Sequence, residues 1–300
     1  MKINSAFTQI LLFLLLATFS CQEQSPQKHY LSFTTPEELQ NYLAWAPEKT
    51  PLIGAHRGGP LPGFPENCIE SFDNILSYAP CLIECDVRKT KDGVLIMMHD
   101  EMLERTTNGS GNITDFTWDE LKMLQLEDND GKLTDFRIPT LADVLDWGRD
   151  KAIIQLDVKR GIQPPEIVEA ISRQQAEAYV VVITYTLDAA KEYHRLNPNL
   201  MISASASGPE GTTRLLNSNI RKQNLVAFVG VFEPPAEIYD MLHQNGIRAI
   251  LGTLGNLDRK AEKEGISVYL DLLKNGADIL ATDNVPMVTE VIERYVVEKR

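Results

Sequence analysis

The chain turns back on itself in the stretch Cys81-Leu82-Ile83-Glu84-Cys85-Asp86-Val87-Arg88-Lys89-Thr90-Lys91-Asp92-Gly93-Val94-Leu95-Ile96-Met97-Met98-His99-Asp100. Its first apolar run, Cys81 to Ile83, reads as a buried strand ending in Glu84-Cys85-Asp86. Side chains alternate along a strand, so Glu84 and Asp86 share one face and Cys85 takes the other. Two carboxylates so spaced at a strand end form an oxygen pair suited to a hard cation. The second run, Val94 to Met98, follows only the turn Lys91-Asp92-Gly93. A parallel pair needs a crossover of about a dozen residues or more, so this connection makes an antiparallel hairpin. The return brings His99 to roughly the level of Glu84 and Asp86.

Upstream, the apolar run Pro51-Leu52-Ile53-Gly54-Ala55 reads as another buried strand, and it delivers His56 and Arg57 where the glycines Gly58 and Gly59 begin. Together the two stretches gather His56, Arg57, Glu84, Asp86 and His99 around one point. Such a set suits phosphoryl chemistry: a metal and Arg57 take phosphate charge while the two imidazoles move protons. Glu66 and Asn67 begin a helix whose positions Ile69, Phe72, Ile75 and Leu76 form a core-facing stripe. Asn67 serves either as the cap of that helix or as a contact in the site.

Downstream, residues 101–137 lack strand periodicity and read as an insertion roofing the pocket, with a short capped helix from Thr117 and a turn at Asp128-Asn129-Asp130-Gly131. That acidic turn lacks the later ligands of a calcium loop. From Ile138, helices alternate with apolar runs: Ala152–Leu156, Val180–Ile183, Leu200–Ser203, Leu225–Val229, Ile247–Leu251 and Asp278–Ala281. With the strands before His56 and Glu84, and the Gly93 hairpin left out as an extension, the count is eight. Eight continuous apolar runs separated by helices predict an α/β fold, a closed (β/α)8 TIM barrel with a β-hairpin extension and a small insertion. Active sites in that fold sit at the C-terminal strand ends, which is where Asp157 and Lys159 fall, on one face.

The ordered pieces His56-Arg57-Gly58, Pro65-Glu66-Asn67, Ile83-Glu84-Cys85-Asp86-Val87, Thr90-Lys91-Asp92-Gly93, His99-Asp100 and Leu103-Glu104-Arg105-Thr106-Thr107 resemble the signature of the glycerophosphodiester phosphodiesterase family. The resemblance runs from about Leu52 to the C-terminus, and Thr282-Asp283-Asn284-Val285-Pro286 matches its closing motif. It implies the same barrel, a divalent metal and two essential histidines, His56 and His99. It also implies hydrolysis of a small glycerophosphodiester to glycerol 3-phosphate and an alcohol, with glycerol's own 2-hydroxyl as a nucleophile. Asp157 matches the third metal carboxylate beside Glu84 and Asp86, one methylene shorter than the family's Glu. Three carboxylates without cysteine or imidazole favour Ca²⁺ or Mg²⁺, or Mn²⁺, over zinc or copper. Arg57 and Lys159 are expected at the phosphate, and Glu66, Asn67, Tyr185 and Asp283 are further candidate contacts. Thr184-Tyr185-Thr186 stands where the family often has Ser-Phe, and Gly252-Thr253-Leu254-Gly255-Asn256 replaces a tryptophan-containing segment, so the pocket wall loses a large ring. Two alternatives accompany this expectation: another diester such as a phosphoinositide or phospholipid headgroup, and a binding barrel without catalysis.

At the N-terminus, Lys2 precedes an apolar run from Ile10 to Phe19, too short to span a bilayer, that ends at Ser20-Cys21. Residues 1–21 read as a secretory signal. Cys21 is expected to be lipidated, ordinary signal-peptidase cleavage being the alternative, so the protein is expected to be exported, periplasmic or held on a membrane by a lipid anchor. Residues 22–50 follow as a polar tether and a helix over the barrel's bottom, capped by Thr35 with Pro36 at its first position. Residues 51–300 form the barrel domain. Lys and Arg total 29 against 42 Asp and Glu, and the net charge of -13 argues against nucleic-acid partners and against docking on anionic lipid. Besides Cys21 the chain has Cys68, Cys81 and Cys85, an odd set without metal-type spacing that reads as buried thiols.

Overall fold

Strands form where apolar residues run without interruption, because in a parallel sheet covered by helices both faces of each strand are buried. The computed structural model describes residues 27–299, so the signal segment and Cys21 lie outside the described residues. In chain order the strands are β1 Leu52–Ala55, β2 Cys81–Lys89, β3 Leu95–Met97, β4 Gln125–Glu127, β5 Leu133–Arg137, β6 Ile153–Val158, β7 Val180–Thr184, β8 Met201–Ser205, β9 Leu225–Gly230, β10 Ala249–Gly252 and β11 Ile279–Thr282. Parallel pairing runs β1-β2-β6-β7-β8-β9-β10-β11 and back to β1, closing the predicted TIM barrel. β3 pairs antiparallel with β2, Val87 opposite Met97, as the Lys-Asp-Gly turn requires. Gly93 supplies that turn with a φ of 87°.

Alternation divides the barrel into two apolar regions. Ile83, Ile154, Val182, Ile202 and Ala227 point outward and pack with the surrounding helices. Leu52, Leu82, Ile153, Val181, Met201, Val226, Ile250 and Ile279, one from each barrel strand, fill the interior near the strand starts. The helix Pro36–Leu43 closes this lower end, burying Leu39 and Leu43 completely against that layer. Thr35 caps it in a reciprocal pair with Glu38, with Pro36 in the first turn. The preceding segment is less of a tether than its polarity suggests. Its end is docked on the same rim, His29 N donating to Leu76 O at 2.8 Å and Leu31 N to Lys151 O at 2.8 Å.

The insertion departs from expectation in one respect. β4 and β5 form a small antiparallel sheet where no strand pattern was legible. These strands are three and five residues long, too short to display a period, and the turn between them sets the pairing. In that turn the Asp128 carboxylate accepts from Asp130 N at 3.1 Å and Lys132 N at 2.9 Å. Leu103, Ile113, Leu121, Leu126 and Ile138 pack with Ile96, Met98 and Cys68, so the insertion has a core of its own built on β3. Cys68, Cys81 and Cys85 are buried free thiols.

Candidate active site

The site grows from the upper ends of β1, β2, β6 and β11. Beyond β1, His56, Arg57 and Gly58 form one tight turn in which Arg57 takes a φ of 51°. Gly58 has a φ of 80°, and a Cβ there would fall 2.1 Å from the Phe72 ring, so only glycine fits under the helix Ile69–Ile75. The turn aims the Arg57 amide at Glu84, whose Oε2 accepts at 2.6 Å. On β2 and β6 the parallel register sets Asp86 beside Asp157, with Glu84 one inward position deeper.

Carboxylate oxygens of Glu84, Asp86 and Asp157 lie within 4.8 Å of one another. All three residues are buried, at 9%, 1% and 6% exposure. Burial, and then the charge of Asp86, pushes the Glu84 carboxyl up to about 8. Burial also opposes ionisation of Asp86, but Lys159 and the Asn67 amide outweigh it and hold that carboxyl below its ordinary value. Asp157 Oδ1 is buried with no hydrogen-bond partner among the described residues. Three clustered acids, one of them unwilling to ionise and one with an orphaned oxygen, fit an oxygen-liganded divalent cation.

Lys159, expected at the phosphate, has its Nζ on two of these acids, 2.6 Å from Asp86 Oδ1 and 2.5 Å from Asp157 Oδ2. Asn67 is in the site rather than at a helix end. The helix starts later, at Ile69 after Cys68, and Asn67 adopts a φ of 60°. Its amide spans the second acid in both directions, Nδ2 donating to Asp86 Oδ2 at 2.7 Å and Oδ1 accepting from Asp86 N at 2.8 Å.

Each histidine is held at Nδ1 by an aspartate. His56 Nδ1 lies 2.7 Å from Asp283 Oδ1, and His99 Nδ1 lies 2.7 Å from Asp100 Oδ1. A carboxylate accepting a hydrogen bond from Nδ1–H keeps the ring proton on that nitrogen and leaves the Nε2 lone pair for chemistry. For His56, burial pulls basicity down, but the Asp283 hydrogen bond with the charges of Glu84 and Asp283 prevails and raises it above the ordinary 6.5. His99 arrives by the hairpin: Met98 N donates to Asp86 O at 2.9 Å, and Arg88 Nε clasps the His99 carbonyl at 2.8 Å.

Glu66 ties the two sides together. Its carboxylate accepts from Arg57 Nη1 at 3.0 Å and, in a two-pronged pair, from Arg105 at 2.8 and 2.9 Å. Burial works against the Glu66 charge, but these two guanidiniums hold its carboxyl below the ordinary range. Arg105 Nε then reaches Asp100 Oδ2 at 2.5 Å, so the insertion braces the aspartate behind His99. Arg105 and Asp100 carried only motif letters in the sequence and no assigned role. Arg105's partner Glu66 stands 39 residues away, whereas Asp100 pairs with the adjacent His99 and with Arg105 five residues on.

Two cavities meet at His56. One, about 250 Å³, reaches down between Glu84, Asp157, Gln155, Ser203, Phe228 and Leu254, with the exposed Tyr185 at its edge. The other, about 650 Å³, is an open cleft between Arg57, Glu66, Arg105 and Asp283 on one side and the insertion turn 128–131 on the other. His56 lines both cavities, and His99, like His29, His194 and His243, is among the lining residues of neither; His243 stacks on Trp45 and pairs with Asp278 at 2.8 Å.

A barrel whose strand tops join two aspartate-held imidazoles to clustered acids and a guanidinium belongs with the hydrolases of phosphoric diesters. Residues 56–285 match the glycerophosphoryl diester phosphodiesterase family, and the chain belongs to that family. It is 29% identical over 240 residues to a glycerophosphodiester phosphodiesterase of Caldanaerobacter subterraneus, covering 78% of this chain and 94% of that one. A crystal structure of a glycerophosphoryl diester phosphodiesterase from Parabacteroides distasonis superposes with a TM-score of 0.86 at 34% identity, over 89% of this chain and 95% of that one. The fold is shared with an Oleispira antarctica phosphodiesterase whose structure is in complex with the product sn-glycerol-3-phosphate, at 20% identity and a TM-score of 0.64 over 81% and 97% of the two chains.

Proposed function

We propose that this phosphodiesterase hydrolyses glycerophosphodiesters to glycerol 3-phosphate and an alcohol, using His56 and His99 as the proton-transfer pair. The observation that carries the proposal is the matched pair of Nδ1-to-aspartate bonds at 2.7 Å, which gives both imidazoles one working nitrogen. Glu84, Asp86 and Asp157 would hold a divalent cation, Ca²⁺ or Mg²⁺, with Mn²⁺ an equivalent donor match, and such an ion would offset charge on the phosphoryl oxygens.

The chain's own residues do the rest. Arg57 Nε is buried with no hydrogen-bond partner among the described residues and lies 3.9 Å from Asp86 Oδ2, so the guanidinium adds positive charge beside the acid cluster where the phosphate is to bind. Lys159 keeps Asp86 and Asp157 together and adds positive charge beside the phosphate. One imidazole removes the proton of glycerol's 2-hydroxyl as its oxygen attacks phosphorus; the other protonates the departing alkoxide as the P–O bond breaks. The resulting cyclic phosphate is opened by water with the proton transfers reversed. Attack from within one molecule benefits from high effective concentration, which makes glycerol itself a requirement. The smaller cavity, with Gln155 and Ser203 among apolar walls, accepts the glycerol, and the larger cleft accepts the alcohol.

A panel of glycerophosphodiesters, lysophospholipids and phosphoinositides, run in EDTA and with each cation restored, tests this reading. Release of glycerol 3-phosphate is expected only with a cation, and His56→Ala or His99→Ala is expected to lower kcat by about 10²- to 10⁴-fold. Near-normal turnover by either variant overturns the assignment. The apolar walls of the smaller cavity are the observation behind a second reading, a diester carrying an apolar substituent, which the lysophospholipid arm detects.

A further inference from the structure

Asp283 is a half-exposed carboxylate whose only side-chain hydrogen bond among the described residues is the one to His56. Its aim therefore depends on where its backbone stands. That backbone is fixed by Asp258, a 4%-exposed carboxylate in the first turn of the helix Asn256–Glu264. Asp258 Oδ2 accepts from Asp283 N at 2.8 Å, while Oδ1 accepts from Thr282 Oγ1 at 3.0 Å and Tyr269 OH at 2.8 Å. Thr282 Oγ1 in turn accepts from Asn284 N at 2.9 Å, so the end of β11 is held on both sides of Asp283.

We infer that Asp258, seated by Tyr269 and Thr282, is a positioning residue for His56 that acts through Asp283. A buried carboxylate spending its oxygens on one loop is costly unless each bond is made, and three of its acceptor positions go to this loop and to the tyrosine that seats it. The inference deepens the proposed function and rests on His56 as a proton-transfer group.

The test is a double-mutant cycle on the full chain with Asp258→Asn and Asp283→Asn, joined by Tyr269→Phe, which removes one donor and keeps the ring. Asp258→Asn is expected to lower kcat by about tenfold or more with KM within about twofold, and the double variant to fall no further than Asp283→Asn alone. Tyr269→Phe is expected to give a smaller loss of the same kind. Losses that multiply, or that follow only the fall in thermal midpoint, overturn the inference. The ¹⁵N spectrum of the His56 ring supplies a readout that needs no turnover. Asp258→Asn is expected to move it from one tautomer toward a mixture, and an unchanged spectrum rejects the inference. Absence of wild-type activity with a perturbed spectrum would instead count against the phosphodiesterase reading alone.

Discussion

At the scale of single residues, the charges at this site are legible where the backbone announces them and hidden where it does not. His56, Glu84, Asp86 and Asp157 end apolar strands, so alternation and the barrel rule place them from sequence alone. Asp283 leads to a prediction. Because the folded His56 lies above its ordinary 6.5, the pair with Asp283 stabilises the fold fully below that pH and ceases to do so as pH rises through the raised value. Asp283→Asn is expected to lower the His56 midpoint in an NMR titration, and its stability deficit is expected to shrink as pH rises through the wild-type midpoint. A midpoint that stays put would show that Asp283 does not set the basicity of this ring. Asn67 was placed only between two roles, and Arg105 was beyond such reasoning, since its partner Glu66 is brought near only by tertiary folding; Asp100, paired with the adjacent His99, had no pattern to mark it. A cap and a site ligand look alike in sequence; the positive φ of Asn67 separates them.

At the scale of elements, turn chemistry proved more informative than periodicity. Lys91-Asp92-Gly93 is enough to fold β3 back along β2 and deliver His99, whereas β4 and β5, too short for a pattern, escaped notice. The helix Pro36–Leu43 was readable from its cap and its stripe, and its task is mechanical. Leu43→Ala is expected to reduce unfolding free energy by about 2–5 kcal/mol in denaturant titration, as for other buried leucines. Its kcat is expected to be unaltered, because the helix lies against the strand starts while the chemistry sits at the strand ends. A fall in kcat at full folding would mean that the lower layer communicates with the site.

At the scale of the whole molecule, a closed sheet lets eight strands contribute to one rim, and it brings three acids together at a cost that only positive charge relieves. Lys159 relieves it for Asp86 and Asp157 but makes no ion pair with Glu84. A divalent cation is therefore expected to raise the thermal midpoint, by the equivalent of about 2.7 kcal/mol at a hundredfold excess over Kd. Glu84→Gln is expected to blunt this response in a melting assay with and without EDTA. A wild-type midpoint indifferent to cations would leave the acid cluster without its proposed ligand.

The docked strip around His29 and Leu31 gives the molecule a polarity. The first described residues, from Gln27, lie beneath the barrel, at the opposite pole from the strand ends that carry the candidate site. Because that strip packs against the strand starts, the strand ends stay clear for a diester to approach along the barrel axis.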